Sequence, residues 1–177
     1  MQFRRIVTGV DADGKAVVAS DDQVDAVTVD LVPGGGFWRM WGTDAPVAVP
    51  NAGELQAPHA YFPPEGGYRF SYFQIGPASE RQLPEDVDLG PAMAQFEERL
   101  PGMPATLDLS NPGMHTTQTV DFVVVLSGEI WLELDDGAET HLTAGDCVVQ
   151  NGTAHAWRNH GREPAVMAVA LIGAPAA

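Results

Sequence analysis

Apolar and polar positions alternate with a period of two along much of this chain, the pattern of strands with one buried face. "RRIVTGVDADGKAVVAS" reads as two short strands joined at Asp13-Gly14, a turn pair with β-branched residues on either side. "TVDLVPGGGFWRMWGTD" continues with two strand-like pieces broken by Pro33 and a run of glycines, with Trp38 and Trp41 as core or interface anchors. "APVAVPNAGELQAPHAYFPPEGG" is a long loop in which His59 has no partner at ligand spacing, so it reads as an ordinary loop histidine. "GGYRFSYFQIGP" again alternates. A helical period occurs in "DLGPAMAQFEERLPGM": Pro91 fits the first turn, Ala92, Met93, Phe96 and Leu100 form an apolar stripe, and Gly102 ends it.

From residue 104 onward the alternation becomes more regular. Short apolar runs are separated by "NPG", "SG", "DDG", "AGD", "NGT" and "NHG", each a turn-forming cluster. Asp136-Gly137 should close a hairpin between "EIWLEL" and "ETHLTA". Many short strands and one helix predict an all-β sandwich or barrel.

Composition narrows the class. A chain of 177 residues suits one domain with a substantial core. Its formal charge of -15 and its nine basic residues, never clustered, argue against a nucleic-acid partner, because phosphate binding needs concentrated positive charge. "MQFRRIVTGVDADGK" turns polar too early for a secretory signal, and "AVMAVALIGA" falls short of the roughly 20 apolar residues that span a bilayer. A cytoplasmic protein without a membrane partner is the expectation. The single cysteine, Cys147, rules out an intrachain disulfide and a thiolate zinc cluster, and within "GDCVVQ" it reads as a buried packing residue.

The order of turns and polar residues in "GMHTTQTVDFVVVLSGE" and "GDCVVQNGTAHAWRN" resembles the two motifs of the cupin superfamily. In the first, His115 matches the leading histidine, Thr117 stands where a second histidine is usual, Asp121 takes the glutamate position, and Gly128 follows at the family spacing. In the second, Gly145 opens the motif, "NGTAH" replaces a proline-containing loop, His155 matches the histidine, and Asn159 follows it. The resemblance implies an all-β, cupin-type (jelly-roll-like) β-barrel with an N-terminal β extension and one short helix. Residues 1–103 would form the extension, with its loop and helix partly packed on the barrel; residues 104–177 would form the barrel core, the whole making one structural domain.

Period two places His115, Thr117, Thr119 and Asp121 on one face, and gives His155 and Trp157 a common face. In a cupin-like barrel that face is the interior. Two imidazoles and one carboxylate, His115, Asp121 and His155, would make a minimal site for one divalent ion such as Zn, Fe, Mn or Ni. Threonine is a poor substitute for imidazole and aspartate is one methylene shorter than glutamate, so a site without metal stands as an equal alternative. In that case His155 and His115 are the candidate catalytic acid and base. Thr117, Trp157, Trp131 and Tyr72 are candidate substrate contacts, with core packing the competing role for the aromatic side chains. His141 reads as an exposed strand residue, His160 as a turn residue, and Glu129 and Glu133 as solvent-facing.

The resemblance therefore implies a small-molecule enzyme with its site inside the barrel, of lyase or isomerase type (a dehydratase or decarboxylase), with or without metal assistance. A metal-free metabolite-binding or sensing domain and a metal-dependent oxygenase are the alternatives. A small organic molecule is the expected partner, and exposed edge strands with the aromatic "GGFWRMWG" segment make a homodimer the expected assembly.

Overall fold

A computed structural model describes residues 1–54, 60–84, 86–108 and 110–176; His59 lies outside the described residues. In chain order the elements are β1 (Phe3–Val10), β2 (Ala16–Val24), β3 (Gly36–Thr43), β4 (Tyr68–Ile75), α1 (Leu89–Arg99), β5 (Thr119–Ser127), β6 (Glu129–Glu133), β7 (Glu139–Thr143), β8 (Cys147–Asn151), β9 (Ala156–Arg158) and β10 (Ala165–Gly173). The strands form a five-stranded sheet in the order β3-β4-β10-β5-β8, a three-stranded sheet β7-β6-β9, and the separate hairpin β1-β2. All pairings are antiparallel. The fold is all-β and of cupin type.

Alternation explains how the two larger sheets close on one core. Strand β5 buries Thr119, Asp121, Val123 and Val125 while exposing Phe122 and Leu126. Val123, Val125, Met167, Val169, Leu171 and Phe73 from the large sheet meet Ile130, Leu132, Leu142 and Trp157 from the small one. Each such fully buried large side chain contributes about 1.5–3 kcal/mol of transfer free energy. Helix α1 adds Phe96 and Leu100 to the same cluster, as its stripe predicted. The Asp88 carboxylate caps it by accepting from the Gly90 amide at 3.1 Å.

Two turns require the backbone freedom present at their positions. Asp136 (φ 59°) and Gly137 (φ 72°) both adopt left-handed conformations between β6 and β7, as a tight hairpin demands. Gly128 (φ 75°) joins β5 to β6, and a Cβ there would lie 2.7 Å from the Pro164 carbonyl oxygen.

The N-terminal region is more deeply built in than an extension. Strand β4 pairs with β10 from Tyr68–Ile172 to Ile75–Ala165, so β3 and β4 belong to the same sheet as β5. No backbone ladder joins the β1-β2 hairpin to the larger sheets, although Arg5 of β1 donates to the Met40 carbonyl of β3 at 3.0 Å. Cys147 corrects the buried-packing expectation: it is exposed, because β8 edges the large sheet and its parity turns Val148 and Gln150 inward instead. Among the described residues no helix is long and apolar enough to cross a membrane.

Candidate active site

Two histidines meet where the first motif enters the small sheet. The His115 amide donates to the His155 carbonyl at 2.9 Å and the His155 amide donates back at 3.0 Å, an isolated bridge on the free edge of β9. Residues directly opposite in a ladder project to one side. The two imidazoles consequently stand 4.2 Å apart between centroids, tilted by 49°.

Each ring is held through Nδ1. His115 Nδ1 lies 3.0 Å from the Gly113 carbonyl, and His155 Nδ1 lies 3.0 Å from the Thr153 carbonyl. A carbonyl only accepts, so each Nδ1 carries the proton and each neutral ring keeps a bare Nε2 lone pair. Gln150 Nε2 sits 2.9 Å from His155 Nδ1 and 2.8 Å from the Thr153 carbonyl. The Thr153 carbonyl thus accepts from both side chains, which anchors the Gln150 amide beside the ring without a hydrogen bond to its protonated Nδ1.

Burial keeps both rings neutral. His155 is pushed down to about 4, first by burial and then by the neighbouring His115, with the Thr153 carbonyl opposing. His115 is likewise lowered by burial, opposed by its bond to Gly113.

Thr117, Thr119 and Asp121 form a polar row on the same side of the first motif, and all three are buried. The Thr117 and Thr119 hydroxyls are 2.8 Å apart. Burial pushes the Asp121 carboxyl up to about 6, and a hydrogen bond from Thr119 holds it partly down. Its Oδ1 has no hydrogen-bond partner among the described residues. Asp121 is the cross-strand neighbour of Gln150, so Asp121 and His155 flank the same amide. Trp157 lies edge-on to His155, with centroids 5.9 Å apart, and lines the same interior.

Comparison with known proteins agrees with this frame. The Cupin_2 family model, described as a cupin domain, matches residues 109–171. Residues 109–171 form a cupin domain. Curated relatives include phomopsin biosynthesis cluster protein D of Diaporthe leptostromiformis, 54% identical over 46 residues, covering 26% of this chain and 24% of that protein. Oryzines biosynthesis cluster protein J of Aspergillus oryzae is 40% identical over 70 residues, covering 40% of this chain and 35% of that one. The alignments thus span about a quarter to a third of these relatives. Among solved structures, the polyketide cyclase RemF from Streptomyces resistomycificus superposes over 84% of this chain and 72% of that chain, at 13% identity and a TM-score of 0.46. A cupin family protein with a double-stranded β-helix fold from Methanocaldococcus jannaschii superposes over 60% of this chain and 70% of that chain, at 11% identity and a TM-score of 0.39.

Within the cupin domain the donor set does not fit a resident metal. Among the described residues no three His, Cys, Asp or Glu side chains form a group able to hold an ion. His115 and His155 come together, whereas the short Asp121 side chain starts from the opposite large sheet and does not complete a set with them. Thr117 offers only a neutral hydroxyl, already engaged with Thr119.

Two of the aromatic residues considered as substrate contacts lie outside the interior. Trp131 alternates with the buried Ile130 and Leu132, so it faces outward, stacked on His141 at 4.3 Å and edge-on to His160 at 5.1 Å. His141 is exposed as expected and His160, read as a turn residue, is exposed as well, bonded to Glu129 at 2.9 Å and Glu139 at 3.0 Å respectively. Glu133 departs from its solvent-facing reading: it is half-buried in an ion pair with Arg158. Tyr72 alternates with the buried Ser71 and Phe73 and packs against Phe3 of the N-terminal hairpin at 4.3 Å, on the far side of the large sheet. The physical reason is common to both: period two assigns a residue to a face, and only the pairing decides which face is inside.

The interior also holds polar residues that sequence reasoning missed. Arg39 pairs with Ser71, and Arg69 with Gly42 and Leu171, which puts both guanidinium-bearing positions on the inward face. Arg69 is buried, donating to the carbonyls of Thr43 at 2.6 Å and Tyr68 at 3.0 Å and pairing with Asp44 at 2.5 Å. Tyr61 is buried and its phenol is raised by burial, with Arg39 pulling it down and Asp121 pushing it up, so it lies within the electrostatic reach of both. The available signal was an arginine at inward parity within "FWRMW" and "YRFSYF", a costly placement unless its donors are satisfied.

Proposed function

We propose that this chain is a small-molecule enzyme of lyase or isomerase type whose acid–base chemistry is carried by side chains inside the cupin domain. The observation that carries the reading is the meeting of two neutral imidazoles, with a buried carboxyl raised to about 6 standing apart from them on the facing sheet of the same interior. Oppositely displaced titrations in one interior are a mark of acid–base sites. The curated relatives' names, which place them in the phomopsin and oryzines biosynthesis clusters, support an enzyme reading.

His115 is the base: its Nε2 is bare, and it is the less buried of the two rings. It takes a proton from a carbon next to a carbonyl, leaving the electron pair delocalised onto the carbonyl oxygen. Protonated Asp121 returns a proton, either to a neighbouring carbon in isomerisation or to a departing hydroxyl, which leaves as water. His155, held by Thr153 and braced by Gln150, fixes the geometry of its partner ring and resists protonation.

The test is proton exchange. A panel of small keto and hydroxy compounds is incubated with the protein in deuterium oxide, and carbon-bound exchange or product is read by NMR. The wild type should exchange or convert a member of the panel; His115→Ala and Asp121→Asn should each lose that activity while remaining folded. Activity that survives both substitutions, or that depends on added metal and is removed by a chelator, overturns the mechanism. A compound that raises the melting temperature without exchange or product would instead support a binding domain, the reading that Thr117 in place of histidine also favours.

A further inference from the structure

The turn ahead of His115 is held from outside the barrel. His115 keeps its Nδ1 proton on the Gly113 carbonyl, a bond within its own segment at 3.0 Å. Gly113 has φ 89°, and a glycine leaves the peptide groups on either side of it free to rotate. Something else must aim that carbonyl at the ring.

Arg158 supplies the hold. It stands opposite Trp131 in the ladder of β9 with β6, so its side chain leaves the outer face of the small sheet, away from Trp157. Nε pairs there with the Glu133 carboxylate. From this anchor the guanidinium reaches round the free edge of β9: Nη1 donates to the Pro112 carbonyl at 2.6 Å and Nη2 donates to Asn111 Oδ1 at 3.1 Å. A Cβ on Gly113 would lie 3.0 Å from Nη1, so the group rests directly on that residue.

Each contact bears on one peptide plane. The Pro112 carbonyl belongs to the plane before Gly113, which Arg158 grips directly. The Gly113 carbonyl shares its plane with the Met114 amide, and that amide donates to the Asn111 backbone carbonyl at 2.9 Å. Asn111 is the residue whose side chain Arg158 holds, and its own amide donates to the Asp108 carbonyl at 3.2 Å. One guanidinium thus fixes both planes that flank the glycine. The task needs three donors in a rigid planar fork, which a lysine ammonium on a flexible stem does not present. Glu133 offsets the charge and orients Nε.

We propose that Arg158 is a positioning residue for His115: by fixing the peptide planes on both sides of Gly113, it keeps the ring proton on Nδ1 and leaves Nε2 as the bare nitrogen. The catalytic consequence rests on the reading of His115 as the base; the tautomer does not. Without the grip the Gly113 carbonyl turns away, and the ring proton is no longer confined to Nδ1.

Long-range proton–nitrogen NMR of the full chain, labelled at the histidine ring nitrogens and held near neutral pH, reads the tautomer of each ring without any substrate. In the wild type both His115 and His155 should carry the proton on Nδ1. Arg158→Ala should move the His115 ratio toward the Nε2–H form by roughly fivefold, the effect of losing one ordinary hydrogen bond. His155, held by Thr153, should keep its proton on Nδ1 in the same variant. Arg158→Lys should behave as Arg158→Ala does; a lysine that preserved the wild-type tautomer would assign the effect to charge alone and overturn the proposal. So would a wild-type His115 protonated on Nε2, a His115 tautomer unchanged in Arg158→Ala, or a shift of both rings together, which is what general loosening produces. If Arg158→Ala alters the far-UV spectrum, Asn111→Ala, which leaves the Glu133 pair intact, replaces it with the same expected and refuting results. Where the wild type turns over a compound of the panel, Arg158→Ala should lower kcat more than it raises KM, and an unchanged kcat beside a shifted tautomer refutes the catalytic role. Failure of the whole panel counts against the function proposed above and leaves the tautomer result standing.

Discussion

Replacing Asp121 with asparagine should stabilise the protein at neutral pH and do much less in acid. Burial raises the Asp121 carboxyl from 3.8 to about 6. At 1.36 kcal/mol for each unit, the ionised form costs the folded state about 3 kcal/mol relative to the unfolded chain. A raised carboxyl makes the folded state bind the proton more tightly. The cost is therefore absent below the unfolded value of about 3.9, grows as pH rises, and is complete above about 6. Asparagine cannot ionise, so its advantage over the wild type should grow by about 3 kcal/mol between roughly pH 4 and pH 7. Any fixed packing difference between the two side chains cancels in this comparison. Urea denaturation of both proteins at matched concentration across this range measures the difference directly. Wild-type stability alone would mislead, because His155 titrates with the opposite sign over much of the same window. A difference that stays flat with pH, or that shrinks as pH rises, refutes the assignment of a buried, raised carboxyl at Asp121.

Two further outcomes test the remaining geometry. Titration of the histidine ring protons by NMR should show His155 neutral down to about pH 4; because its value is depressed, its stabilising contribution is present above about 6.5 and lost as pH falls through about 4, so His155→Gln should flatten that acid limb. Trp131→Ala removes a stack on His141 and should cost about 1 kcal/mol of stability, while leaving turnover of any substrate found for the wild type unchanged, as expected for a residue on the outer face.

Legibility followed the range of the interactions involved. The hairpin at Asp136-Gly137, the single stripe of α1 and the alternation of β5 depend on neighbours a few residues away, and each was readable in the chain. The common face of His155 and Trp157 was readable for the same reason, since they are two residues apart in one extended segment. Tyr72, Trp131 and Cys147 show where such reading stops. Alternation separates Tyr72 from Ser71 and Phe73, but which of them faces the core depends on β10 and on a hairpin more than sixty residues upstream.

The sequence by itself determined the all-β class, the turns, the cupin motifs and the candidate pair His115 and His155, because period, turn chemistry and spacing are local properties. Only the tertiary structure decided that the two histidines meet across the free edge of β9, that Gln150 braces one of them, and that Asp121 stands apart from them with a raised carboxyl. It also revealed Arg39, Arg69 and Tyr61 inside. Burial and cross-strand contact belong to pairs of residues far apart in the chain, and it is burial that turns an ordinary aspartate and an ordinary histidine into groups with displaced titrations.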